Sequence, residues 1–344
     1  MTAADAVEPL DSTVNQSPPT LKDVAAAAGV GLGTVSRVLS GNGRVADATR
    51  TRVEEVVREL GYRPSALGRG LKRQRTDTIG LLVADIANPF YGEFAKGVLD
   101  AAKAAGRHVI VGSSGEDPTA EREYVDLLLE QRVDGIIAFP TGGNVQTWRA
   151  ARDRGVSVVF ADRLLAGFDA PAVVIDNDEA AFRLTVHLFK QGHSRIGYLG
   201  GPVALSSGRL REEGFRRAHQ VTGMPLSEDL IIRQEFTRDS AHGSALSLVD
   251  RPDRPTAVIA SNNVLGEAAL AAIGTLGLRM PQDISLAMID DVPWAWLTHP
   301  SITVISQPTR ALGAEAIRLI SEGIDTGVSV LPTELLIRES TGRL

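Results

Sequence analysis

Apolar residues at Leu21, Val24, Ala25 and Ala28 recur at i, i+3, i+4 and i+7, the spacing of one face of a short helix. Gly29 follows, where a chain can reverse through positive φ. A second series, Val35, Val38 and Leu39, predicts another short helix from near Leu32, with Thr34, Ser36 and Arg37 turned outward. Asp47 to Leu60 keeps the helical period through Val53, Val56, Val57 and Leu60, and Gly61 stops it. Tyr62-Arg63-Pro64 then leaves this small unit, because the residue before a proline is pushed out of the helical region. A small first helix, a glycine turn and a polar-faced second helix let two helices cross closely while one reaches a major groove. The same turn, taken alone, also suits an ordinary helical hairpin.

Beyond residue 76 the pattern changes. Strand-like apolar runs at Ile79–Ala84, His108–Gly112, Gly135–Phe139, Val156–Ala161 and Val173–Ile175 alternate with helical segments at Phe90–Ala105 and Ala120–Gln131. The alternation restarts with strands at Ile196–Leu199, Ala257–Ala260 and Ile284–Ile289 and helices near 179–191, 207–221 and 264–276. Alternating βα units imply parallel sheets covered by helices, and two such runs imply two doubly wound α/β subdomains. Ligands bind such sheets beyond the carboxyl ends of the strands. Asp85 and Asn88, Asp162 and Arg163, Asn262 and Asn263, and Asp290 and Asp291 all follow those ends. Carboxylates, amides and guanidinium groups recognise hydroxyls, while an aromatic face covers the apolar side of a ring. Asp and Asn also favour turns and helix caps, so each position alone has a structural reading as well.

Charge divides the chain at the same place. Residues 20–75 hold eleven Lys/Arg against five Asp/Glu, a net of +6, whereas 76–344 hold 25 bases and 34 acids, a net of −9. A basic head on an acidic body is the footprint of a nucleic-acid module joined to something else. The 344 residues suit two or three domains. Zero cysteines exclude a disulfide framework, a thiolate metal site and a cysteine nucleophile. No run approaches the roughly 18–20 apolar residues of a membrane span. MTAADAVEPLDSTVNQSPP has acids where an export signal needs bases, so a disordered tail and a cytoplasmic location are expected. Catalytic signatures are missing too: no GxxxxGK[ST], no GxGxxG opening a helix after a strand, and no metal-ligand spacing among six histidines. His187 and His193, near a helix end, read as surface or cap residues. The chain is expected to be no enzyme and to hold no metal or cofactor.

The stretch TLKDVAAAAGVGLGTVSRVLSGNGRVADATRTRVEEVVRELGYRPSALGRGLKRQRTDTIGLLVADIANPF closely resembles the head and hinge of the LacI/GalR family of bacterial transcription regulators. The resemblance continues through GRLREEGF, PTAVIASNN, LGLRMPQDISLAMIDD and TVISQP, and so covers nearly everything after residue 19. It implies a helix-turn-helix domain at 20–64, a hinge helix and linker at 65–76, and a periplasmic-binding-protein-like body at 77–344. Lobe one would comprise about 77–175 and 305–330, and lobe two about 176–304 and 331–344. The implied protein is a homodimeric repressor on a pseudo-palindromic double-stranded operator, controlled by a small-molecule effector such as a sugar or related metabolite.

The resemblance also implies roles. Leu32 and Arg37 would read bases; Thr20, Thr34, Ser36, Arg44 and Thr49 would hold phosphates; Leu71 in the hinge would enter the minor groove. Asp162, Arg211 and Asp290, with Phe90, Phe236, Asn262 and Gln307, would bind the effector, Asp290 orienting Arg211 while Arg209 faces elsewhere. One departure stands out: Asn263 occupies a position where the family more often has Asp. Two other classes share the architecture. A bare ligand-binding protein of the periplasmic type lacks the basic head, and a sugar-metabolising enzyme needs a catalytic constellation.

Overall fold

The computed structural model describes residues 19–40, 43–62, 76–236 and 238–344. The chain divides into two compact units, one ending at Thr76 and the other starting at Asp77. The expected tail, but for Pro19, and the expected hinge helix with Leu71 lie outside the described residues.

In the first unit, α1 (Leu21–Ala28) starts at a capping box. The Thr20 hydroxyl accepts from the Asp23 amide, and the Asp23 carboxylate accepts from the Thr20 amide at 2.7 Å. Gly29 ends α1 at φ 63°, a left-handed turn that strains any residue carrying a Cβ. Val24, Ala25 and Ala28 of α1, Val35 and Val38 of α2 (Leu32–Ser40) and Val53 of α3 (Asp47–Glu59) form the core. Leu60, expected inward, is 39% exposed, because the helix has already ended at Glu59.

The second unit runs β1 (Thr78–Val83), α4 (Pro89–Ala104), β2 (His108–Ser113), α5 (Pro118–Glu130), β3 (Gly135–Ala138), α6 (Val145–Asp153), β4 (Ser157–Ala161) and β5 (Ala172–Ile175). It continues as α7 (Asn177–Lys190), β6 (Ile196–Gly200), α8 (Ser206–Thr222), β7 (Ile231–Arg233), α9 (Arg238–Val249), β8 (Ala257–Ala260) and α10 (Asn263–Thr275). It closes with β9 (Ser285–Ile289), α11 (Pro293–Leu297), β10 (Thr303–Ser306), α12 (Thr309–Glu322), β11 (Val328–Leu331) and β12 (Glu334–Leu336).

Two six-stranded sheets result among the described residues, ordered β11-β5-β4-β3-β1-β2 and β12-β10-β9-β8-β6-β7. Every pairing is parallel except β10 with β12. Each sheet reverses its winding between its first and third strands, β1 and β3 in one and β6 and β8 in the other, and there the loops diverge to leave a crevice. The chain passes between the lobes after β5, between β10 and α12 (which packs on α4), and between β11 and β12.

Central strands such as β3, β5, β8 and β9 are buried at every residue, as covered parallel strands require. β2 departs from the buried strand its sequence suggests. It is an edge, and Ile110 and Val111 are 38% and 41% exposed. His187 and His193 depart as well, being buried rather than on the surface. His187 Nε2 meets Thr341 Oγ1 at 3.0 Å, and His193 meets Thr256 Oγ1 at 2.9 Å and the Gly342 carbonyl at 3.1 Å, so the pair pins the carboxyl-terminal segment to lobe two.

Candidate functional site

On the head, helical periodicity places Leu32, Gly33, Ser36 and Arg37 on one side of α2, away from buried Val35 and Val38. Leu32 is 44% exposed. Arg37 Nε donates to the Gly33 carbonyl at 3.1 Å, which lays the guanidinium back along the helix. Thr34, Ser36 and Thr49 are half-buried, and Arg44 is exposed. Thr20 is engaged in the capping box, whose bonds hold the Asp23 carboxyl below its ordinary pKa. Its hydroxyl thus has a structural task besides any contact with DNA.

In the body, Phe90, Asp162, Arg211, Phe236, Asn262, Asp290 and Gln307 line one cleft between the lobes, with Asn88, Tyr91, Arg163 and Asn263, enclosing about 260 Å³. Asp162 follows β4 at φ 62° and Asp290 follows β9 at φ 86°. Both sit in the left-handed region, which costs a non-glycine residue about 1 kcal/mol or more and collects at functional sites. The turn aims each carboxylate inward. Asn88 and Asn262 also cap α4 and α10 through the Phe90 and Leu265 amides, so the structural reading holds for them beside the lining one. Gly201 is required by the opposite wall: a Cβ there would lie 2.0 Å from the Phe236 ring. A larger hollow, about 490 Å³, opens near Arg152, Ser157 and Phe168 at the amino-terminal end of β4, away from the strand ends where doubly wound sheets bind ligands.

Arg211 is buried on α8. Its Nε donates to Asn177 Oδ1 at 2.7 Å, Nη1 to the Ser261 carbonyl at 2.7 Å, and Nη2 to Asp162 Oδ1 at 3.4 Å. The carboxylate that meets Arg211 is therefore Asp162 of the other lobe, not Asp290. Arg209 faces outward and pairs with Glu213 at 2.8 Å. Asp290 accepts from Gln307 Nε2 at 2.6 Å and from the Asn263 amide at 3.2 Å. Burial pushes its carboxyl above the ordinary carboxylate range, Arg211 pulls it back, and Asp162 adds to the rise.

Sequence reasoning placed Arg163 past a strand end but missed its partners Glu116 and Tyr91. Arg163 forks onto Glu116 with two 2.6 Å bonds, reaches Tyr91 Oη at 3.4 Å and lies 5.8 Å from the Phe236 ring centre. Glu116 itself stands at φ 62°. Asn177, the first residue of α7, was equally hidden, although its place just past β5 was a usable signal. Among the described residues no cluster of His, Cys, Asp and Glu could hold a metal ion.

A helix-turn-helix unit joined to a two-lobed α/β body with a polar interlobe cleft defines a ligand-responsive DNA-binding protein. Residues 20–65 match the bacterial regulatory proteins of the lacI family, and residues 185–341 match the periplasmic binding protein-like domain. The HTH-type transcriptional regulator DegA of Bacillus subtilis (strain 168) is 35% identical over 94% of this chain and 98% of its own. Among solved structures, the CelR–cellobiose complex aligns with TM-score 0.71 and 32% identity over 94% of this chain and 99% of its own. The lac repressor dimer bound to operator and the anti-inducer ONPF aligns with TM-score 0.81 and 27% identity over 95% and 100%. The chain belongs to the LacI family, and is a DNA-binding transcription regulator rather than an enzyme. No helix among the described residues is long and apolar enough to cross a membrane.

Proposed function

We propose that this regulator acts in the cytoplasm as a homodimeric repressor whose operator affinity is set by a non-anionic, hydroxyl- or amine-bearing effector held in the interlobe cleft. The supporting observation is the convergence of Phe90, Asp162, Arg211, Phe236, Asn262, Asp290 and Gln307 on one cleft. Arg163 and Arg211 already spend their donors on Glu116, Asp162, Asn177 and the Ser261 carbonyl, and Gln307 Oε1 is buried without a partner. Guanidinium groups engaged by protein acceptors, together with a free acceptor, favour ligand groups that donate over phosphates and carboxylates. The relative CelR was solved with cellobiose, a ligand of that chemistry.

On the head, Arg37 reads guanine through its fork and Leu32 packs on a thymine methyl. Thr20, Thr34, Ser36, Arg44 and Thr49 hold phosphates. The exposed apolar edge around β2 (Ile110 and Val111, with Leu99, Tyr124 and Leu127) supports an isologous contact in lobe one. Thermal-shift assays with sugars, amino sugars and their phosphate esters test the effector reading. Stabilisation is expected from the neutral or amine forms, by about 2.7 kcal/mol at a hundredfold excess over Kd. Stabilisation by the phosphate esters alone overturns it.

A further inference from the structure

Two amides in the cleft bond to each other rather than standing free. Asn88, at the start of α4 in lobe one, donates from Nδ2 to Asn263 Oδ1 at 3.2 Å. Asn263, at the start of α10 in lobe two, donates from Nδ2 to Asn88 Oδ1 at 2.8 Å. Both are buried, at 5% and 0% exposure. The orientation of Asn88 is set independently, because its Oδ1 also accepts from the Phe90 amide at 3.0 Å. Flipping it would turn its NH₂ toward that N–H. Asn88 therefore offers the other lobe one acceptor and one donor in a fixed order, and the Asn263 amide in the opposite order answers both. A carboxylate at 263 would leave an anionic oxygen against Asn88 Oδ1, close to Asp290, whose carboxylate already accepts the Asn263 amide.

We propose that Asn88 and Asn263 form an interlobe latch, so that Asn263 positions the lobes and does not read the effector. Its regulatory meaning rests on the effector cleft proposed above. The latch joins the loop after β1 to the loop after β8, each at the point where its sheet reverses winding. The Leu164 amide, bonded to Ser206 Oγ at 2.7 Å, and the Asp162–Arg211 pair add two further cross-lobe links. Of the three, the amide pair alone meets in two reciprocal bonds, and alone among them is tied to Asp290 through the Asn263 backbone. A ligand bound to Asp290 thus acts on the segment that carries the latch.

The cysteine-free chain permits a direct test. Spin labels on Arg122→Cys of α5 and Gln220→Cys of α8, both exposed positions on different lobes, report lobe separation in the full-length protein with no ligand added. Asn263→Asp is isosteric. Asn88→Asp keeps an oxygen to cap α4 while removing the donor, and serves if Asn263→Asp fails to fold. Each is expected to lengthen the interlobe distance, with the short-distance population falling about tenfold relative to the long one. An unchanged distance distribution in either folded variant overturns the latch. Failure of every ligand in the thermal-shift panel would instead count against the effector reading, and leave this measurement standing.

Discussion

The head and the cleft hold their working residues in opposite ways. On the head, Leu32, Arg37 and Arg44 stand exposed, and Arg37 Nε folds back to bond its own helix. In the cleft, Asp162, Arg211 and Asp290 are buried and bonded to protein on several sides. A surface completed by DNA can leave its donors to water, because phosphates and base edges supply the acceptors on contact. A buried cleft must satisfy its charges within the fold, since an unpaired one is costly. Function and stability are therefore separable on the head and fused in the cleft.

The largest expected effect comes from Arg211→Ala. It strips Asp162, Asn177 and the Ser261 carbonyl of their partner at once, and should cost about 3–5 kcal/mol in urea unfolding. Unfolding at the wild-type midpoint would break the comparison on the cleft side. Arg37→Ala should change stability by less than about 0.5 kcal/mol, yet remove about 1–3 kcal/mol of base discrimination. Operator selection reads this directly, and uniformly weaker binding with unchanged sequence preference would assign Arg37 to phosphate instead.

Thr20 is the position where the two modes meet. Thr20→Ala should destabilise α1 by about 1 kcal/mol through loss of the cap. Thr20→Ser should keep both the cap and DNA binding, whereas Thr20→Ala should also weaken binding in a gel shift; undiminished binding of Thr20→Ala would leave Thr20 with the structural task alone.

Acidification should act on the body only. Burial lowers the pKa of His187, His193 and His219 below the ordinary 6.5, so the folded state keeps them neutral while the unfolded chain takes up protons. The stability this provides is whole above 6.5 and declines as pH falls from there toward the depressed values. A thermal scan should show the body's Tm dropping by about a few degrees from pH 7.5 to 5.5. No histidine lies between residues 20 and 76, so head unfolding followed by NMR should move less.

The same contrast explains what the sequence could tell. The head's period, glycine turn and polar face are local, and α1 to α3 form where the pattern puts them. Polar residues past the strand ends marked the cleft, apart from Asp85, which accepts from the Ala87 amide, and Asp291, which pairs with Arg338. Their bonding was not legible. Asp162 rather than Asp290 meets Arg211 because two left-handed turns aim the carboxylates, and no periodicity encodes that. Asn263 stands out in the sequence only as a departure from the family's Asp, and the fold brings Asn88, 175 positions away, against it. β2 has the composition of a central strand and only its topological place makes it an edge. The buried histidines were hidden because their partners, Thr341 and Gly342, arrive from the far end of the chain.

The three passages of the chain between lobes also set an order of events during synthesis. Lobe one gains its last strand, β11, only when Leu331 has emerged, and lobe two waits for β12 just after it. The head, by contrast, ends at Thr76 and is free to fold once it clears the ribosome. At about 5–20 residues per second, the remaining 268 residues (77–344) take on the order of half a minute. During that interval a nascent chain carries a finished DNA-binding unit on an unfinished body, and a stop codon anywhere before β11 would leave both lobes open together.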